Sequence, residues 1–137
     1  FQRPLSLIML DLDHFKNVND PLGHAVGDEA LATMGENQRR QTRGADVTGR
    51  VGGEEVAIQL VDTGLDTAIE VAERIRSAVE MRILPGDAGP VRLTVSLGVA
   101  EFTGGTDNVA ALLKRADDAL YEAKRKGRNR VEPNAAG

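Results

Sequence analysis

The sequence predicts an α/β domain of the α+β kind: a central mixed sheet of about five strands covered by helices, with a β-hairpin in its middle. Three observations predict it. Strand-like and helix-like periodicities alternate in the order strand, helix, helix, strand, strand, helix, strand, helix, strand, and such alternation lays helices against a sheet. Two of the strand-like runs flank a Gly-Gly pair, the pattern of a hairpin. The 137 residues suffice for one domain with a real core and are too few for two.

Taken in order, Leu5 to Leu12 (LSLIMLDL) is almost wholly apolar and ends in acid. It reads as a strand buried on both faces whose C-terminal end opens onto a site. Residues 14–20 are expected to make roughly one or two helical turns, after which Pro21, Gly23 and Gly27 punctuate the chain. From Asp28, the residues Ala30, Leu31 and Met34 recur at helical spacing, predicting a helix to about Arg40. Val47 and Val51, then Val56, Ile58 and Leu60, keep a period of two around the turn that holds Gly52 and Gly53. Thr63 to Met81 places Leu65, Ala68, Ile69, Ala72, Ile75 and Val79 on one side of an amphipathic helix. Leu84 to Pro90, rich in proline and glycine, is expected to be a loop. Leu93, Val95, Leu97 and Val99 alternate with Thr94, Ser96, Gly98 and Ala100, a strand with one small-residue face. Val109, Leu112, Leu113, Ala116, Leu120 and Ala123 define a last helix, which Gly127 ends as a C-terminal cap. A short edge strand follows at Arg130 and Val131, so that the domain is assigned to 1–131 and a tail to 132–137.

Composition narrows the class. With 41% apolar and 28% charged residues the chain belongs with soluble globular proteins. It has no apolar run long enough to span a bilayer and no signal-peptide pattern, which makes the cytoplasm the expected location. Because it begins at Phe1, it is expected to be a piece of a longer protein, which could itself be membrane-attached. The absence of cysteine excludes disulfides and thiolate metal sites. A net charge of −4 argues against nucleic acid as partner, and the basic run from Lys124 to Arg130 has a plainer reading as a solvated helix end favoured by the macrodipole.

Two acidic clusters carry the chemistry. Gly52 and Gly53 leave no side chain in the way of a ligand, and Glu54 and Glu55 put two carboxylates at the hairpin tip, which repel unless a cation or donor lies between them. Asp11 and Asp13, two apart at a strand end, share a face. If that strand lies beside the hairpin, the interstrand spacing of about 4.8 Å brings a carboxylate from each within reach of one cation. Hard oxygen ligands suit Mg²⁺, and the chemistry implied is phosphoryl or nucleotidyl transfer. Each piece has a bland counterpart. A Gly-Gly turn alone is more often structural, and a strand-end Asp is more often a helix cap. A calcium loop from Asp11 is excluded, because Lys16 stands where it needs glycine and Leu22 where it needs glutamate. No P-loop, zinc-helix or nucleophile-elbow motif occurs.

Asp11 to Asp20 (DLDHFKNVND), Gly23-His24, Gly27-Asp28, Arg50 to Glu55 (RVGGEE), Ser96 to Ala100 (SLGVA), Ala116 to Lys124 (ADDALYEAK) and Gly127 to Asn129 (GRN) together resemble a GGDEF domain, in order and over nearly the whole chain. The resemblance implies a diguanylate cyclase with the palm-like fold of nucleotide cyclases, condensing two GTP into cyclic di-GMP and two pyrophosphates across a homodimer. It implies that Asp11, Glu54 and Glu55 are the catalytic acids. Together with the Leu12 carbonyl they would hold Mg²⁺ (or Mn²⁺), and Glu54 would assist deprotonation of the attacking hydroxyl. Asn19 and Asp28 would read the guanine edge, which an amide and a carboxylate match in donors and acceptors. Lys124 and Arg128, one helical turn apart, would contact the phosphates with Lys16 and the backbone at His14 and Phe15. Arg43 and Asp46, which fit R-x-x-D, with Arg74 on the next helix, would form a product-inhibition site for cyclic di-GMP. Nucleic acid and membrane are not expected partners of the domain. The fifth motif position, usually Phe, is Val56, and a domain that senses GTP or cyclic di-GMP without turnover is the alternative this departure keeps open.

Overall fold

The computed structural model describes residues 4–13, 45–50, 55–84, 89–105 and 107–134. The helical turns expected in 14–20 and the helix from Asp28 to Arg40 lie outside the described residues.

Strand β1 (Leu5–Leu12) is the axis of the domain. In the five-stranded sheet β2 (Ala45–Arg50), β3 (Val56–Val61), β1, β6 (Val95–Glu101), β7 (Val131–Asn134), it runs antiparallel to both neighbours. Period-two alternation divides its side chains between two helices. Ile8, Leu10 and Leu12 join Val56, Ile58 and Leu60 under helix α1 (Leu65–Met81), which contributes Ala68, Val71, Ala72, Ile75 and Val79. Leu7 and Met9 face helix α2 (Val109–Arg125) through Leu112, Ala116 and Leu120. A strand apolar on both faces is thus covered on both, as its sequence predicts.

The hairpin also forms as read, with Arg50 paired to Val56 across the turn. Its register shifts between Ala45 and Val47, so Asp46 sits at a bulge. Helix α1 starts at Leu65 rather than Thr63: the Gly64 carbonyl accepts the first helical bond, from the Ala68 N–H, while the Thr63 carbonyl accepts from Ser6 Oγ. Gly64 at its N-cap offers no side chain, and the Leu65 N–H instead donates to Glu101 Oε1 of β6 at 2.8 Å.

The small-residue face of β6 decides how close α2 can come. A β-carbon on Gly98 would stand 2.2 Å from the Leu120 nitrogen and 2.3 Å from the Ala116 carbonyl oxygen. The helix backbone therefore rests on the strand at a glycine.

Two expectations are corrected. The loop Leu84 to Pro90 is shorter than predicted, since its flanks pair as an antiparallel ribbon of β4 (Ile83–Leu84) and β5 (Val91–Arg92). The edge strand expected at Arg130 and Val131 instead spans Val131–Asn134 as β7, parallel to β6. Pro133 obscured that strand in the sequence, but an edge strand tolerates a missing N–H.

Candidate active site

Asp11 closes β1 on the face toward α2. The last pair between β1 and β3 is Leu10 with Val56, so the same register continued one step sets Asp11 across from Glu55. On the other side Asp11 pairs with Ser96 of β6. The sheet alone therefore brings the strand-end acid to the base of the hairpin turn, as the sequence predicts. Lys124, in the last turn of α2, forms an ion pair with Asp11 Oδ2. Among the described residues, Oδ1 of the same carboxylate is buried without a hydrogen-bond partner. A buried carboxylate oxygen left unpaired is costly and marks a place for a cation or donor.

Asp13 shares that face but does different work. Its carboxylate accepts from Ser96 Oγ at 2.6 Å, Thr94 Oγ1 at 2.6 Å and the Asn129 N–H at 3.0 Å, while its own N–H donates to the Thr94 carbonyl. It is 3% exposed and its two oxygens are occupied, so it ties the end of β1 to β6 and to the chain beyond α2.

That chain is a tightly determined turn. The Arg128 N–H donates to the Ala123 carbonyl and the Gly127 N–H to the Lys124 carbonyl, the pairing that ends a helix through a left-handed residue. Gly127 takes φ 128°, fulfilling its reading as the cap. Arg128 and Asn129 are left-handed too, at φ 66° and 48°. Arg128 thus lies past the end of α2, not one turn along it from Lys124, because the cap reverses the backbone before it. The Asn129 side chain reaches α1, accepting from Arg76 Nη1 at 2.9 Å and donating to Glu80 Oε2 at 2.6 Å. Asn129, then Arg76, hold the Glu80 carboxyl below its usual range.

Of the residues singled out from sequence, Asp11, Leu12, Glu55 and Lys124 are gathered around the end of β1, and Arg128 follows two residues beyond Lys126, the C-cap. Asp46 lies on β2 and Arg74 on the exposed side of α1. His14, Phe15, Lys16, Asn19, Asp28, Arg43 and Glu54 lie outside the described residues. Among the described residues no three His, Asp or Glu side chains cluster as metal ligands. Sequence reasoning missed the roles of Thr94, Ser96, Asn129, Arg76 and Glu80. The one signal that could have found any of them is an asparagine two residues after a cap glycine, since asparagine takes the left-handed region more readily than most residues.

An α+β domain with a palm-like arrangement, its central strand ending in acid beside a hairpin, is the class that fold and site define. The family model described as "Diguanylate cyclase, GGDEF domain" matches residues 1–130. Among curated relatives, diguanylate cyclase A of Treponema denticola is 42% identical over 127 residues, 93% of this chain and 34% of that protein. The response regulator PleD of Caulobacter vibrioides is 40% identical over 135 residues, 97% of this chain and 30% of that protein. The chain thus spans about a third of the length of the curated relatives it matches. Among solved structures, the active GGEEF domain of a diguanylate cyclase from Vibrio cholerae superposes with a TM-score of 0.88 at 36% identity, covering 98% of this chain and 85% of that one. The GGDEF domain of DgcB from Caulobacter crescentus, solved in complex with cyclic di-GMP, gives 0.87 at 33% identity, covering 97% and 79%. The chain belongs to the GGDEF domain family of diguanylate cyclases. That family is generally metal-dependent. Among the described residues, no helix is long and apolar enough to cross a membrane.

Proposed function

We propose that the domain condenses two GTP into cyclic di-GMP and two pyrophosphates, acting as a homodimer with one GTP on each copy. The observation that carries this reading is Asp11: its strand abuts the hairpin in the register Leu10 to Val56, and its Oδ1 is buried and, among the described residues, unpaired. That orphaned oxygen fits a cation, which Asp11, the Leu12 carbonyl, Glu54 and Glu55 would hold. Bound there, Mg²⁺ or Mn²⁺ supplies neutralisation of triphosphate charge.

Asn19 and Asp28 bind the guanine edge and so fix which nucleotide enters. Lys124 and Arg128, with Lys16 and the backbone N–H groups at His14 and Phe15, hold the phosphates. Two domains facing each other bring the 3′-oxygen of one GTP to the α-phosphorus of the other. The new O–P bond forms as the bond to the β-phosphate bridge breaks and pyrophosphate leaves. Glu54 takes the hydroxyl proton. The same exchange in the opposite sense closes the ring. Arg43, Asp46 and Arg74 form a second site for the product, through which cyclic di-GMP inhibits its own synthesis; guanidinium groups suit both its guanine edges and its phosphates. The cytoplasm, where GTP is available, is the compartment in which this domain works.

The test is incubation of nucleotide-free domain with GTP and Mg²⁺ at high protein concentration, with products separated by chromatography. Cyclic di-GMP that disappears in Glu54→Gln supports the cyclase. No product, even from a version forced to dimerise, with cyclic di-GMP still bound, would make the domain a sensor.

A further inference from the structure

Arg128 and Asn129 both hold left-handed backbone, which strains a non-glycine residue. Asparagine adopts it readily, whereas arginine does not. The cap does not require it of Asn129, since α2 is already closed by the bonds from Gly127 and Arg128 to the Lys124 and Ala123 carbonyls. Such a conformation persists where the surroundings over-determine it. Here Asn129 is held at three points: its N–H on Asp13, its Oδ1 on Arg76 and its Nδ2 on Glu80. Asp13 stands two residues beyond Asp11, and Lys124 of the same helix end is paired to Asp11. One clamp therefore fixes the acidic strand end and the basic helix end relative to each other.

We propose that Asn129 is a positioning residue: pinned to Asp13, Arg76 and Glu80, it holds Arg128 in the left-handed conformation from which Arg128 meets the nucleotide's phosphates. This rests on the reading of Arg128 as a phosphate contact. Helix α1 takes part from outside the site, because Arg76 and Glu80 supply two of the three anchors.

The experiment measures kcat and KM for GTP in the full domain for Asn129→Gly, Arg128→Ala and the double variant, and for Glu80→Ala and Glu80→Gln. Glycine keeps the left-handed backbone and the N–H to Asp13 while removing both bridges to α1. Asn129→Gly should raise KM about tenfold with kcat within about twofold, as misplacement of a binding group does. The rise should vanish in the Arg128→Ala background, where the residue being positioned is gone. Glu80→Ala, which cuts the clamp without touching the turn, should raise KM in the same way, and Glu80→Gln, which keeps an acceptor for Asn129 Nδ2, should restore it. A native KM in both Asn129→Gly and Glu80→Ala, or an equal rise with and without Arg128, would overturn the proposal. If the wild-type domain makes no cyclic di-GMP, or Arg128→Ala alone leaves KM unchanged, the reading of the site itself fails and takes this inference with it. Those two results involve no change at Asn129 and so separate the failures.

Discussion

Gly98 lies directly beneath Leu120, with room for a hydrogen but none for a methyl group. The obstructing atoms are the helix backbone at Leu120, Ala116 and Ala119, which cannot swing aside as a side-chain tip could. Gly98→Ala must therefore lift α2 off the sheet or deform β6. Urea denaturation should show a loss of at least about 3 kcal/mol, at the upper end for overpacking. A loss below about 1 kcal/mol would mean that helix and strand slide apart freely.

Asp107 and Arg115 should make part of the stability pH-dependent. Arg115 donates from Nη1 and Nη2 to the two carboxylate oxygens, and Thr103 adds its N–H and hydroxyl. Arg115 first, then the Thr103 N–H, holds the Asp107 carboxyl well below the usual carboxylate range. A depressed folded pKa stabilises fully above the unfolded value of about 3.9 and loses that stabilisation as pH falls toward the folded one. Denaturation of wild type and Asp107→Asn should thus differ most near neutrality and converge below pH about 4. A gap that stays constant across this range would refute the assignment.

Lys124 is the ion-pair partner of Asp11, one of the groups proposed to hold a cation together. Lys124→Met leaves the half-buried Asp11 carboxylate with neither oxygen in an ion pair among the described residues, and should lower stability by about 1–3 kcal/mol without divalent metal. Mg²⁺ should return most of that loss, seen as a rise in melting temperature that EDTA reverses. Asp11→Asn should instead abolish cyclic di-GMP formation by about a hundredfold or more and remove the Mg²⁺ response. A Lys124→Met melting temperature indifferent to Mg²⁺ would place the cation elsewhere.

Gly127→Ala tests the turn that ends α2. At φ 128° any side chain is strained, and its β-carbon would stand 3.1 Å from Arg130 Nη2. The expected loss is about 1–2 kcal/mol by thermal or chemical unfolding. An unchanged midpoint would show that the turn adopts another backbone at no cost.

Much of this architecture was legible because apolar spacing reports burial directly. The two-sided burial of Leu5–Leu12, the stripe of α1 and the small face of β6 each follow from a period in the sequence. The adjacency of Asp11 to the hairpin was legible as a condition, and the pairing of Leu10 with Val56 fulfils it. What was hidden are contacts between residues far apart in the chain whose types carry no periodic signal. Thr94 and Ser96 looked like strand fillers, and Asp13 like a partner of Asp11, until their separation of more than eighty residues closed to a hydrogen bond. Asn129 offers only its type, and Arg76 and Glu80 carry no periodic signal that points to a contact with it. The short ribbon of β4 and β5 escaped because two-residue strands leave no period to read.

The central place of β1 has a consequence during synthesis. Its pairing partners β3 and β6 both come later in the chain, the second ending at Glu101. At ribosomal speeds of about 5–20 residues per second, this largely apolar strand leaves the exit tunnel several seconds before the strands that will flank it. Until then both of its hydrogen-bonding edges are open to any other extended segment, including the same strand on a neighbouring nascent chain. The nearest charge to that run is Asp11, placed where a charged residue flanking an apolar strand disfavours such pairing.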